Sequence, residues 1–186
     1  MQWAGVPDSI YDLTKSCNDY TDDYKNRGLW VNWLAGGSAS NPNEKGLNIP
    51  IDLSFAFHSD AGTTLNDNII GTLAIYDSEQ YDGTFPGGAS RTLSRDLADI
   101  VQSSIVNDIR TLCEPQWTRR QMWDKPYFEA WMPKVPAMLL ELLSHQNFAD
   151  MRYGLDPRFR FIVSRAIYKG ILKFISSQRN EKYVVQ

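Results

Sequence analysis

Large apolar residues recur every three or four positions from Leu93 to Ile109, through Leu97, Ile100, Val101 and Ile105. At 3.6 residues per turn this spacing builds one apolar face and predicts a helix over residues 91–112. A second stripe, made by Phe159, Ile162, Val163, Ala166, Ile167, Ile171 and Phe174, predicts a terminal helix. It begins near Pro157, a residue suited to a first helical turn. Residues 22–34 allow another helix with Trp30, Val31 and Leu34 on one side, weakened by Gly28. The run Leu53-Ser54-Phe55-Ala56-Phe57-His58 alternates large with small residues and predicts a strand covered on both faces. Ser59-Asp60-Ala61-Gly62 is turn chemistry, so His58 is expected at the carboxyl end of that strand. Residues 71–76 (GTLAIY) predict a neighbouring strand, and residues 136–143 (PAMLLELL) a buried one interrupted by a single carboxylate, Glu141. Residues 127–131 read as a short strand ended by Pro133. Glycine, asparagine and proline mark residues 36–43 and 77–90 as loops.

Strands and helices in this order, without an internal repeat or low-complexity tract, predict one α/β domain. The 186 residues suffice for a sizeable core, and 42% apolar with 22% charged residues excludes wholesale disorder. A net charge of −3 provides no footprint for nucleic acid. The late basic residues Arg152, Arg158, Arg160, Arg165, Lys169 and Lys173 interleave with apolar ones at helical spacing, as on the wet face of a helix. No run approaches the ~20 apolar residues of a membrane span. The start, Met1-Gln2-Trp3, lacks the basic-then-apolar pattern of an export signal, although a mature protein could have lost such a leader. Cys17 and Cys113 permit two buried thiols or one bridge and do not fix the compartment. Nothing in the sequence sets an oligomeric state.

Glu141 carries the strongest chemical signal. Ionising a carboxylate inside so apolar a run costs several kcal/mol unless it has a partner, and desolvation raises its pKa toward values useful for proton transfer. The competing reading is a glutamate at an exposed strand end, paired with an arginine. His58 stands where ligands bind in open α/β sheets, at a strand's carboxyl end, but a hydrogen-bonded structural histidine fits the same position. His145, four residues past Glu141, reads as a solvent-facing loop residue. The six tryptophans are expected to serve the core, with sugar stacking as the alternative. A phosphate-binding loop, a G-x-S-x-G elbow, an H-E-x-x-H helix and a dinucleotide fingerprint are all missing.

Around His58 and Glu141 the sequence resembles the zinc-dependent N-acetylmuramoyl-L-alanine amidases. The segment from Ser54 to Ala61 is similar to that family's strand ending S-x-H-x-N-A, whose histidine binds zinc. Met132-Pro133, then Pro136 through Glu141 with Asn147 and Asp150 following, is similar to its M-P-A-x-L-x-E-x-G-F-x-S-N-x-x-D, whose glutamate is catalytic. Ala166-Ile167-Tyr168-Lys169-Gly170-Ile171 matches the A-I-x-x-G-I pattern of its last helix, and Ser90 to Leu97 its S-R-x-L-A helix opening. The run LLELLSHQNFADMRYGLDPRFRF is similar to a branch from Bacteroides-type bacteria whose members often carry a "xanthan lyase" label. The resemblance covers about residues 50–177. It implies a three-layer α/β/α sandwich around a mostly parallel twisted sheet. It also implies hydrolysis of the muramoyl–L-alanine amide of peptidoglycan, in the periplasm, cell envelope or outside the cell. Glu141 would be the catalytic residue and His58 a zinc ligand. Asp60 would orient His58, with His145 and Asn147 as further ligand-supporting or substrate residues.

The sequence also departs from that family. Its G-H-G-G strand and the ligand glutamate on the following helix have no counterpart here: no histidine precedes His58, and the only earlier glutamate is Glu44, in a loop. Leu142-Leu143 replaces the usual G-F. The expectation is a chain lacking its front end or one diverged from zinc binding, and hence little amidase activity in these 186 residues. A non-catalytic peptidoglycan- or glycan-binding module on the same fold is the alternative. A polysaccharide-cleaving enzyme would want paired carboxylates across a cleft, and no such pair stands out.

Overall fold

The structure, a computed structural model, describes residues 1–184. After a 3-10 turn at Gln2–Ala4 come helices α1 (Asp8–Tyr11) and α2 (Asp19–Ala35), then strands β1 (Ser54–Asp60) and β2 (Leu73–Tyr76). Helix α3 (Thr92–Leu112), strand β3 (Trp123–Asp124), helix α4 (Phe128–Trp131) and strand β4 (Ala137–Ser144) follow. Helices α5 (Phe148–Gly154) and α6 (Pro157–Gln178) close the chain.

The four strands form one open sheet in the order β1-β4-β2-β3. β1 runs parallel to β4 and β2 parallel to β3, while β2 and β4 are antiparallel, so the sheet is mostly parallel, as expected. Helices α3 and α6 pack on each other and cover one face. Val101, Ile105 and Ile109 of α3 meet Phe159, Val163 and Phe174 of α6 over Met138, Leu140 and Leu142 of β4. On the other face Ala56, Leu73, Ile75 and Leu139 form a smaller apolar patch, and α4 lies against β4 and β2 with α2 behind it. Helices therefore flank both faces, because both faces of β4 are largely apolar and must be covered.

Local chemistry explains where the helices start. Pro157 occupies the first turn of α6, and the Asp156 side chain caps it by accepting from Arg158 N at 2.8 Å. The late basic residues lie on exposed or partly exposed positions, as their spacing predicts. No helix among the described residues is long and apolar enough to cross a membrane.

Two expectations are corrected. The stretch 127–131 is not a strand: Phe128–Trp131 is one helical turn, with Trp131 N donating to Tyr127 O at 3.0 Å. Its aromatic content favours a strand, but the turn buries Ala130 and stacks Phe128 edge-on against Trp131 at 5.3 Å. Helix α2 forms where expected, with Trp30 exposed and Val31 and Leu34 partly buried; its buried positions are Asp22, Gly28, Asn32 and Ala35. Gly28 is there for space, since a Cβ would stand 2.9 Å from Met132 Cβ, while Asn32 donates to Met132 O and accepts from Lys134 N. The tryptophans do not all serve the core. Trp117 is buried and donates to Thr72 Oγ1, whereas Trp3, Trp30 and Trp123 are exposed. Both cysteines are free, Cys17 exposed and Cys113 partly buried.

Candidate active site

The parallel pairing of β1 with β4 sets the site. Its register runs from Ser54 opposite Ala137 to His58 opposite Glu141. Side chains alternate along a strand, so His58 and Glu141 project from the same face as Ala56 and Leu139 below them. Both stand near the carboxyl ends of their strands, the end at which open α/β sheets bind ligands. Just beyond, the register shifts and Asp60 pairs with Ser144. This irregularity turns the chain end and leads into the loop between β1 and β2.

Glu141 is half-buried, and its Oε2 is enclosed with no hydrogen-bond partner among the described residues. Burial pushes its pKa up, and Asp60 adds to this; the nearby His58, Arg120 and His145 work in the opposite direction. Such a carboxyl holds a proton more readily than one in water, which suits general acid–base work. Linkage fixes the sign of its effect on stability. A carboxyl whose folded pKa is raised contributes fully below its unfolded value, ~4.3, and that contribution is lost as pH climbs through the folded value. Glu141→Gln is therefore expected to be more stable than the parent at neutral pH, by about 0.5–1 kcal/mol for a partly screened group. The difference should shrink toward pH 4. Urea melts at both pH values measure it, and a glutamine variant less stable at pH 7.5 would show that the carboxylate is well paired.

His58 Nε2 faces Glu129 Oε2 at 2.9 Å, and the same carboxylate receives Arg27 Nη1 at 3.3 Å. Glu129 comes from α4 and Arg27 from α2, so the two elements behind the sheet both reach into the site. Asp60 does not orient His58. Its Oδ2 takes Arg120 Nη1 at 2.7 Å and its Oδ1 takes Ala61 N at 2.7 Å. His145 lies exposed in the turn after β4, with Nδ1 3.0 Å from Ser59 Oγ. Asn147 is buried and structural in its bonds: Oδ1 caps α5 by accepting from Asp150 N, and Nδ2 donates to Thr64 Oγ1 and Asn68 O. Two clefts flank the His58–Glu129 pair. One of about 260 Å³ is lined by Phe57, Ser59, Leu142, His145 and Met151; the other, about 250 Å³, by Arg27, Val31, Ala56, Glu129 and Pro133. Glu141 lines neither.

Glu129, Arg27 and Arg120 are the site residues missed by sequence reasoning. Glu129 sat in a segment read as a strand, and the two arginines belong to no periodic pattern. Zinc, implied by the resemblance, does not fit the residues present. Among the described residues no three histidine, cysteine, aspartate or glutamate side chains gather as ligands, and the Nε2 of His58 is taken by Glu129. A catalytic zinc is held by three protein ligands and keeps a fourth position open.

Neither a protein-family model nor a curated protein matches the sequence. Solved structures do match. An N-acetylmuramoyl-L-alanine amidase from Clostridium difficile 630 superposes with a TM-score of 0.60 at 18% identity, over 90% of this chain and 78% of that one. The chain has the fold of these amidases. The CwlD amidase from Clostridioides difficile, solved in complex with the GerS lipoprotein, gives 0.58 at 17% identity over 86% and 64% of the two chains. The amidase AmiC2 of Nostoc punctiforme gives 0.52 at 17% identity over 67% and 58%. The chain thus spans less than two thirds of the latter two. Within the amidase fold, the observed β1 and β4 are the strands that bring His58 and Glu141 together.

Proposed function

We propose that this chain engages the muramoyl–L-alanine junction of peptidoglycan, with Glu141 as the group that would carry the proton in hydrolysis of that amide. The observation supporting this reading is the in-register pairing of His58 with Glu141 on one face of an amidase-type sheet. The half-buried Glu141 carboxylate beside His58 is suited to take a proton from an attacking water and return it to the leaving amine. On this reading the protein works at the cell envelope, where its substrate lies.

A binding role without turnover is the second reading, and one observation favours it for these 186 residues. His58 Nε2 is committed to Glu129, which Arg27 also holds, so that nitrogen could ligate a metal only by giving up the pair. The test uses N-acetylmuramoyl-L-alanine, with binding followed by calorimetry and cleavage by release of free amine, each with and without added zinc. Saturable binding without amine release is the expected result. Amine release that Glu141→Gln reduces by ~10²–10⁴ would establish hydrolysis with this residue in the proton-transfer role. Release indifferent to that substitution would remove Glu141 from the mechanism, and absence of any binding would overturn the reading.

A further inference from the structure

The face that carries His58 and Glu141 holds another charged side chain, Arg120, which the proton chemistry does not use. Its backbone is pinned to the sheet: Arg120 N donates to Thr72 O at 2.9 Å, and Gln102 Nε2 donates to Arg120 O at 3.0 Å. Thr72 immediately precedes β2, so Arg120 starts on the side of β2 away from β4. From there the side chain reaches over the sheet to Asp60 on β1, where Nη1 donates to Oδ2 at 2.7 Å. Its guanidinium lies over the indole of Trp123, 5.6 Å from the ring centroid. Trp123 is 41% exposed, and the Arg120 and Asp60 side chains are 21% and 31% exposed, so a ligand can reach all three.

A guanidinium carries five N–H donors in a planar fork that matches a carboxylate. Among the described residues, Asp60 is the only hydrogen-bond partner of the Arg120 side chain, through one nitrogen, which leaves Nε and Nη2 their donors. The Trp123 ring restrains the guanidinium, so less freedom is lost when a second carboxylate binds.

We propose that Arg120, over Trp123 and with Nε and Nη2 not engaged by Asp60, forms a subsite for a carboxylate of a short peptide beside Glu141. The inference deepens the muropeptide reading and rests on it. In N-acetylmuramoyl-L-alanine, where alanine is the last residue, a free carboxylate is attached to the carbon next to the amide nitrogen; in a longer stem that carboxyl is part of the next peptide bond, so the subsite selects the single-residue stem. Binding that carboxylate at Arg120 brings the amide toward Glu141, because both side chains occupy the same face of the sheet.

The experiment titrates the 186-residue chain with N-acetylmuramoyl-L-alanine and with its C-terminal methylamide, which lacks the charge. The parent is expected to bind the acid at least ~10-fold more tightly than the methylamide. Arg120→Gln should bind both equally, at the methylamide's affinity, and Arg120→Lys should keep part of the preference, because an ammonium supplies charge but no fork. Asp60→Asn removes the internal competitor and should tighten the acid several-fold while leaving the methylamide unchanged. That variant, and the acid–methylamide pair on the parent, keep the test decisive should Arg120→Gln fold poorly. Equal affinities in the parent, or a preference that survives Arg120→Gln, would overturn the subsite and leave the muropeptide reading standing. Binding of neither ligand would overturn both.

Discussion

Asp150→Ala is expected to destabilise the protein by about 3 kcal/mol, because it strips a buried carboxylate from several donors at once. Asp150 is fully buried. Its Oδ1 accepts from Ile70 N at 2.9 Å, and its Oδ2 accepts from Ser144 N at 2.9 Å and Gly71 N at 3.2 Å. One side chain therefore ties the end of β4 to the segment entering β2, and α5 holds it in place through the Asn147 cap. Alanine would leave two buried backbone donors and one part-buried donor without acceptors. For a chain of this size the loss corresponds to a fall in melting temperature of roughly 6–12 °C. Asp150→Asn should recover little, since its amide nitrogen would face a backbone N–H. A loss below about 1 kcal/mol in urea melts would show that water replaces the carboxylate at no great cost.

Gly71→Ala is expected to be comparably damaging, for a steric reason. Gly71 has φ +79°, a conformation that costs an alanine about 1 kcal/mol, and its missing Cβ would stand 2.7 Å from Thr118 Cβ and overlap Thr118 O. That carbonyl accepts from Thr72 N at 3.0 Å and aligns the segment leading to Arg120 along β2. The combined cost should reach about 2–4 kcal/mol. The displacement should also loosen Arg120 from Asp60, so any preference for a carboxylate ligand should fall along with stability. An alanine variant as stable as the parent would mean that the two segments separate easily and that the placement of Arg120 does not depend on their contact.

The sequence by itself determined the main elements and the end of the sheet where chemistry belongs. Apolar spacing marked α3 and α6, and short apolar runs marked β1, β2 and β4, because burying a continuous face is a local property of the pattern. The oddity of Glu141 was legible for the same reason: an ionisable group in an apolar run declares an unusual environment before any fold is known. What surrounds that group was decided by tertiary structure alone. Glu129, Arg27 and Arg120 come from α4, α2 and the segment before β3, and no local spacing records that they converge on one face. The role imagined for Asp60 went to Glu129, because the register shift after His58 carries Asp60 toward Arg120. α4 became a helix although its residues favour a strand, since the gain came from packing Ala130 and Trp131 against other elements. Periodicity fixes which face of an element is apolar; which charged side chains meet above that face depends on strand order and register, which are properties of the assembled sheet.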